Sequence, residues 1–296
     1  LSAATLLQTL VSGLGAGGVY ALVAIGFSVV FKSTGALNFA QGEWAMLGGM
    51  TAAALFGLPA FAWLPSWVAA ALAVPVVGVV GLVSERIAIR PLRRPDALTI
   101  TLLTIGLALA TRGATMLVLG KSPAGYPGFS GDAVLSLFGA RIPAQTAWVL
   151  GLAALFLLLA QLFFARTIPG KALRAVAADR DAAALVGIDL RAAVLWSFGF
   201  GALAGGLAGA ILTPLTFTSY DQGALLGLKG FSAAMLGGVG NLAGAALGGL
   251  LLGVAEALAA GLLSSQYKDA IAFVVLLGVL LVRPAGLLGA ADAART

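Results

Sequence analysis

The stretch GAGGVYALVAIGFSVVFKSTGALNFAQGEWAMLGG, residues 15–49, contains the pattern on which the fold depends. A glycine-rich apolar run reaches Lys32. A connector carrying Asn38, Gln41 and Glu43 follows, and a second apolar run starts at once with WAMLGG. The same order returns in GALAGGLAGAILTPLTFTSYDQGALLGLKGFSAAMLGG, residues 201–238, which ends on the same AMLGG. The separation from Ala16 to Ala45 matches that from Ala204 to Ala234 to within one residue. In each copy a long span, a polar connector and a short apolar segment succeed one another. Short, glycine-interrupted segments in matching positions of two halves mark inverted-repeat transport folds.

Working outward from that pair, the whole chain is apolar. Of its 296 residues, 60% are hydrophobic, 41 more are glycine and 9% are charged. Soluble domains reach only ~45–50% with glycine included. Charge-free runs cover 1–31, 44–84, 142–165, 192–220 and 230–255. A bilayer crossing needs roughly 20 apolar residues, so 44–84 alone accommodates two crossings. A membrane β-barrel would instead show short alternating segments. The expected class is therefore an all-α, polytopic transmembrane helical bundle of about 8–9 spans, with an inverted repeat and short or broken helices. The chain reads as one transmembrane domain, 1–296, with repeat halves at about 6–119 and 193–289. The first apolar run reads as a span and not as a cleavable signal, because it is long and has no basic start.

The excess of 17 Lys and Arg over 11 Asp and Glu is gathered beside apolar runs, as in cytoplasmic loops of membrane proteins, and is not a nucleic-acid footprint. ERIAIRPLRRPD (85–96) carries four Arg; the stretch 165–191 carries five basic residues and three Asp. Both are expected inside, with the tail after Arg283, and the linker 120–146 outside. The candidate crossings are 6–31, 42–57, 64–84, 97–119, 144–164, 193–213, 225–239, 242–263 and 269–282. That threading puts the N-terminus outside. Segments 42–57 and 225–239 are short for complete crossings, since ~15 residues rise about 22 Å against a ~30 Å core. Beside full crossings, the alternative for either is a broken or re-entrant helix, with protein or a wet cavity covering its free backbone groups. If both merely re-enter, the count falls to seven and the N-terminus moves inside.

Several chemistries are missing from the sequence. It has no Cys and no His, hence no disulfide, no thiol chemistry and no metal site of the usual kind. The nearest string to a nucleotide-binding loop, Pro169-Gly170-Lys171-Ala172, lacks both the first Gly and the terminal hydroxyl. No nucleophile–base–orienter constellation is evident, so an enzyme is not expected. Transport must then draw on separate ATPase chains or on intramembrane acids, of which Glu43, Glu256 and Asp221 are the candidates. Glu43 either lines a polar path or caps the short helix, where an acid complements the dipole. Glu256 either faces a cavity or sits near the outer interface. Arg112, near an outer end, is expected to snorkel. The residues alone leave an autonomous secondary transporter or channel open beside an ATP-driven permease.

NFAQGE (38–43) resembles the NFAxGE-like stretch of permeases of branched-chain amino acid ABC importers, the high-affinity Liv type. GKALRAVAADRDAAALVGID (170–189) resembles their basic cytoplasmic loop, and Asp181-Ala182-Ala183-x3-Gly187 is a version of the EAA-x3-G element. The usual I-x-L-P after that Gly is absent. KGFSAAMLGGVGNLAGAALGG (229–249), YKDAIAF (267–273) and RPAGLLG (283–289) match in order. The resemblance implies a bacterial inner-membrane, multi-pass permease for branched-chain amino acids or related small polar solutes. Its implied partners are a second homologous permease, two cytoplasmic ATPases that carry ATP-Mg, a periplasmic or surface-tethered binding protein, and membrane lipid. This chain itself is expected to hold no cofactor. Asn38, Gln41, Glu43, Asn241 and Glu256 are the candidate translocation-path residues. Arg174, Asp179, Arg180, Asp181, Ala182, Ala183 and Gly187 are the candidate ATPase-coupling residues, on a short helix that seats in a cleft of the ATPase.

Overall fold

The computed structural model describes residues 3–61, 63–92, 96–137, 139–262, 268–283 and 285–289. Arg93 and Arg94 of the first basic block, Leu263, and Tyr267 and Pro284 of the C-terminal motifs lie outside them. Each apolar segment expected from the sequence forms a helix: α1 (Ala3–Thr34), α2 (Gln41–Gly57), α3 (Ser66–Ser84), α4 (Ala97–Leu119), α5 (Ala144–Arg166), α8 (Leu190–Thr216), α9 (Gly223–Gly237), α10 (Leu242–Leu262) and α11 (Lys268–Val282). Between α5 and α8 lie two short helices, α6 (Ile168–Ala178) and α7 (Arg180–Leu185), where one had been expected. Six helices among the described residues are long and apolar enough to cross a membrane. The linker 120–146 departs from the all-α expectation in one hairpin, β1 (Val134–Leu137) paired antiparallel with β2 (Ala140–Pro143).

Local chemistry sets the boundaries at the basic end of the bundle. Gly35 adopts φ +70° and its N–H returns 2.7 Å to the Phe31 carbonyl, closing α1 with a left-handed cap. Asp96 accepts from the Thr99 N–H at 3.2 Å to start α4, and the hydrogen bonds from Thr99 hold its carboxyl below the usual range. Thr167, Asp179 and Asp189 cap α6, α7 and α8 in the same way, each satisfying N–H groups that a helix start leaves free. α3 runs on through a π-helical turn, Glu85–Ile89.

α1 and α8 are the most enclosed helices, whereas α4 and α5 lie on the periphery. α1 packs against α10 and α8 packs against α3, both antiparallel and through small residues. Gly13, Gly17 and Ala21 meet Gly253 and Gly249; Gly78 and Gly81 meet Leu203, Ala202 and Phe198. α2 lies along α8 and α9 lies along α1. Exchanging α1–α3 for α8–α10 thus carries these helix contacts onto one another. Residues 15–49 and 201–238 occupy α1–α2 and α8–α9.

The far end is tied down by the linker. Ala124 and Thr218 exchange 2.8 Å backbone hydrogen bonds, and the Tyr126 hydroxyl donates to the Ala210 carbonyl. Burial pushes the Tyr126 hydroxyl pKa up. Gln145 accepts from the Phe129 N–H at 3.0 Å and donates to the Ile211 carbonyl at 3.1 Å. Trp63, Trp67 and Trp148 are exposed at this end, where an aromatic belt would sit.

Candidate translocation site and coupling surface

The two short helices start inside the bundle. Gln41, the first residue of α2, lies against Gly26 of α1, which is about 12 Å from the end of that helix at the usual rise per residue. The connector 35–40 therefore folds back inward. An Asx-type turn makes this possible: Asn38 Oδ1 accepts from the Ala40 N–H at 3.2 Å, and its carbonyl accepts from the Gln41 N–H at 3.1 Å. Thr104 of α4 holds the turn from outside, accepting from the Phe39 N–H at 3.1 Å and donating to the Leu37 carbonyl at 3.2 Å. Gln41 Nε2 donates to the Gly201 carbonyl at 2.9 Å. Asn38 and Gln41 are wholly buried, so they pin the connector and α2 onto the bundle.

The connector between α8 and α9 behaves alike. Thr218 lies level with Gly49, while Gly223 lies level with Gly42 and Glu43, so the chain dips back before α9 begins. The first turns of α2 and α9 consequently meet in the interior. The approach requires glycine: a methyl group at Gly42 would overlap the Gly223 carbonyl and the Gly227 backbone. Neither helix has a side-chain cap. Two positive dipole ends thus converge on one place.

Glu43 occupies that place and is 2% exposed. Its Oε1 accepts from Arg112 Nη2 of α4. Arg112 was expected to snorkel to the outer interface; it turns inward instead, because a buried carboxylate without a counter-ion is far costlier than a bent arginine. Glu43 Oε2 faces Gly223. Asp221, on the second connector, lies within Coulombic reach.

Glu256 sits elsewhere, buried on α10 and fully engaged. Lys229 of α9 donates to its Oε1 at 2.6 Å, and the Tyr20 hydroxyl of α1 donates to its Oε2 at 2.8 Å. Lys229 also reaches the Tyr20 hydroxyl at 3.2 Å. The sequence reading named Glu256 without its partner; the available signal was that Lys229 is the lone cation between Arg191 and Lys268. Asn241 lies at the basic end, where it accepts from the Gly244 N–H at 3.0 Å, starting α10, and donates to the Leu288 carbonyl at 2.9 Å. The structure therefore brings Asn38, Gln41 and Glu43 together, and puts Glu256 and Asn241 at two other places.

The candidate coupling residues form one surface. α6 buries Gly170, Leu173 and Val176 and leaves Lys171 and Arg174 exposed. α7 buries Ala183 alone and exposes Asp181 and Ala182. Leu185 and Val186 protrude, 89% and 77% exposed, just before Gly187 at φ +85° reverses the chain. Two clefts flank this surface. One, of about 940 Å³, includes Lys32, Arg174, Asp179, Arg180 and Asn241; the other, of about 770 Å³, includes Glu85, Arg90, Asp96, Arg180 and Arg191.

Comparison with known proteins gives a consistent picture. Residues 9–280 match the family described as "Branched-chain amino acid transport system / permease component". The chain is 37% identical to the high-affinity branched-chain amino acid transport system permease protein BraD of Pseudomonas aeruginosa, over 96% of this chain and 95% of BraD. It is 34% identical to the corresponding permease LivH of Escherichia coli K12, over 96% and 95%. It is 28% identical to a probable LivH of Methanocaldococcus jannaschii, over 90% and 88%. A chain in the structure of PsaBC from Streptococcus pneumoniae in complex with Fab has a similar fold, with a TM-score of 0.51 at 12% identity over 94% of this chain and 92% of that one.

Proposed function

Since this chain belongs to the branched-chain amino acid transport system permease family, we propose that it is the membrane subunit of an ATP-driven importer, passing branched-chain amino acids or closely related small solutes handed over by a binding protein. It is a multi-pass membrane protein, and we place it in a bacterial inner membrane with the basic end in the cytoplasm. The nine apolar helices then make nine crossings, with α2 and α9 completing theirs from mid-depth and the N-terminus outside. The halves containing α1–α3 and α8–α10 form an inverted repeat; the exchange of α1–α10 and α8–α3 contacts supports it. Its partners are a second permease, two ATPases and the binding protein.

The observation that carries this reading is the meeting of two uncapped, half-length helices at Glu43. Discontinuous helices with their dipole ends at mid-depth are how many transport proteins build a site for charged solutes. Asn38 and Gln41 hold that site in place, and Glu43 faces it. The α6–α7 surface supplies the drive. Its apolar tip, Leu185 and Val186, and its exposed Arg174 suit a groove on an ATPase. Displacement of α6 reaches the core because Gly170 packs on the Phe163 backbone of α5, while α6 also touches α1 and α8. Lys229, Glu256 and Tyr20 clasp α9, α10 and α1 so that they move together.

The test is reconstitution of the full complex in proteoliposomes. Uptake is expected to require lumenal ATP and loaded binding protein, and to persist when ion gradients are collapsed. Uptake by this chain alone, or uptake abolished by an ionophore, would refute the proposal.

A further inference from the structure

Glu43 and Glu256, both buried beside the inner helices, differ in one respect that bears on what crosses the membrane. Both carboxylate oxygens of Glu256 are occupied. Glu43 Oε2 has no hydrogen-bond partner among the described residues, although the group is 2% exposed. Arg112 Nε is likewise buried and without a partner, while its side chain remains 30% exposed. A buried charge pair that stays half-satisfied is costly, so a group that completes it is favoured there. The vacant acceptor faces Gly223, where α2 and α9 present their uncapped first turns. One anion acceptor, one cation donor and two helix N-termini therefore share one small interior region.

We propose that Glu43 and Arg112 are an exchangeable ion pair that recognises the zwitterionic head of an α-amino acid. The substrate ammonium donates to Glu43 Oε2, and its carboxylate accepts from the Arg112 guanidinium and from N–H groups at the start of α9. Inserting a zwitterion into an existing ion pair leaves the net charge unchanged and gives every charge an opposite neighbour. A lone cation or lone anion would leave one charge unmatched, and in this low-dielectric setting it is rejected. Binding is weak, on the order of millimolar, because a transit site must also release. This rests on the importer reading above and adds the chemistry by which its path selects cargo.

The purified complex, without binding protein, is titrated with leucine at millimolar concentrations and contacts are read by saturation-transfer NMR. Leucine is expected to bind, and 4-methylpentanoate and 3-methylbutylamine, which each lack one charged group, to compete at least about tenfold more weakly. Equal competition by either analogue overturns the proposal. Uptake supplies the second arm. Glu43→Gln and Arg112→Gln are each expected to lose uptake per assembled complex by roughly a hundredfold. The double variant Glu43→Gln/Arg112→Gln removes both charges of the pair, so a purely structural pair would recover in it. Uptake still lost in a normally assembled double variant supports the zwitterion site, and recovery to near wild type overturns it. Should that variant fail to assemble, Glu43→Asp and Arg112→Lys replace it: a lower kcat at unchanged KM for loaded binding protein is expected, and unchanged kcat overturns the proposal. Wild-type uptake that ignores ATP would strike the importer reading alone, since the NMR arm stands without it.

Discussion

Glu43 and Glu256 are both buried in this bundle, and their surroundings are opposites. Glu256 joins three helices in a closed knot: every oxygen is bonded, the cation is internal, and the exposure of both charged side chains is below 10%. Glu43 joins α2 to α4 through an arginine that is 30% exposed, at a place where two helix starts are left without caps. A closed knot is a device for rigidity. A half-open pair is a device for exchange. The same residue type, at similar burial, is set to two tasks by what its second oxygen meets.

The largest effect is expected where the knot is cut. Lys229→Met strands Glu256 in the interior and should cost about 3–5 kcal/mol, read as a fall in thermal stability in detergent. Adding Glu256→Leu should restore most of it, because an apolar pair replaces a buried ionic one at little cost. If Lys229→Met leaves stability unchanged, the distinction between the two pairs fails. Gly223→Ala comes next. The added methyl overlaps the Glu43 carboxylate and should cost about 1–3 kcal/mol by overpacking, together with a loss of uptake. Gly113→Ala on α4, with open space around it, should raise the stability of the chain by about 0.5–1 kcal/mol. Tyr20→Phe removes one donor to Glu256 and should cost about 1–2 kcal/mol with uptake largely kept, which sharpens the contrast with Glu43. Asp189→Ala uncaps α8 at its exposed start and should cost about 1 kcal/mol. The same loss at α2 and α9 is native, since neither has a cap to lose.

These contrasts separate what the chain states openly from what it conceals. Apolar run length marked each apolar helix to within a few residues, and the expected segment 97–119 coincides with α4, Ala97–Leu119. The connectors at 35–40 and 217–222 were visible as polar breaks in matching places. The number of helices in 165–191 was misread, although Asp179 is a standard cap signal in mid-loop. The partner of Glu43 was hidden for a physical reason. In lipid the outer face of a helix is as apolar as its inner one, so periodicity does not report which way Arg112 points. Lys229 was concealed in the same way, at the head of a stretch read for its family resemblance and its AMLGG repeat. The pairs 43–112 and 229–256 join distant parts of the chain, and only the folded arrangement of α2, α4, α9 and α10 brings them into reach.

Arg180 stands at the edge of both clefts beneath the bundle and so belongs to a wall that they share. A sideways push on α7 therefore bears on both openings at once, at the foot of α1 and at the turn between α3 and α4.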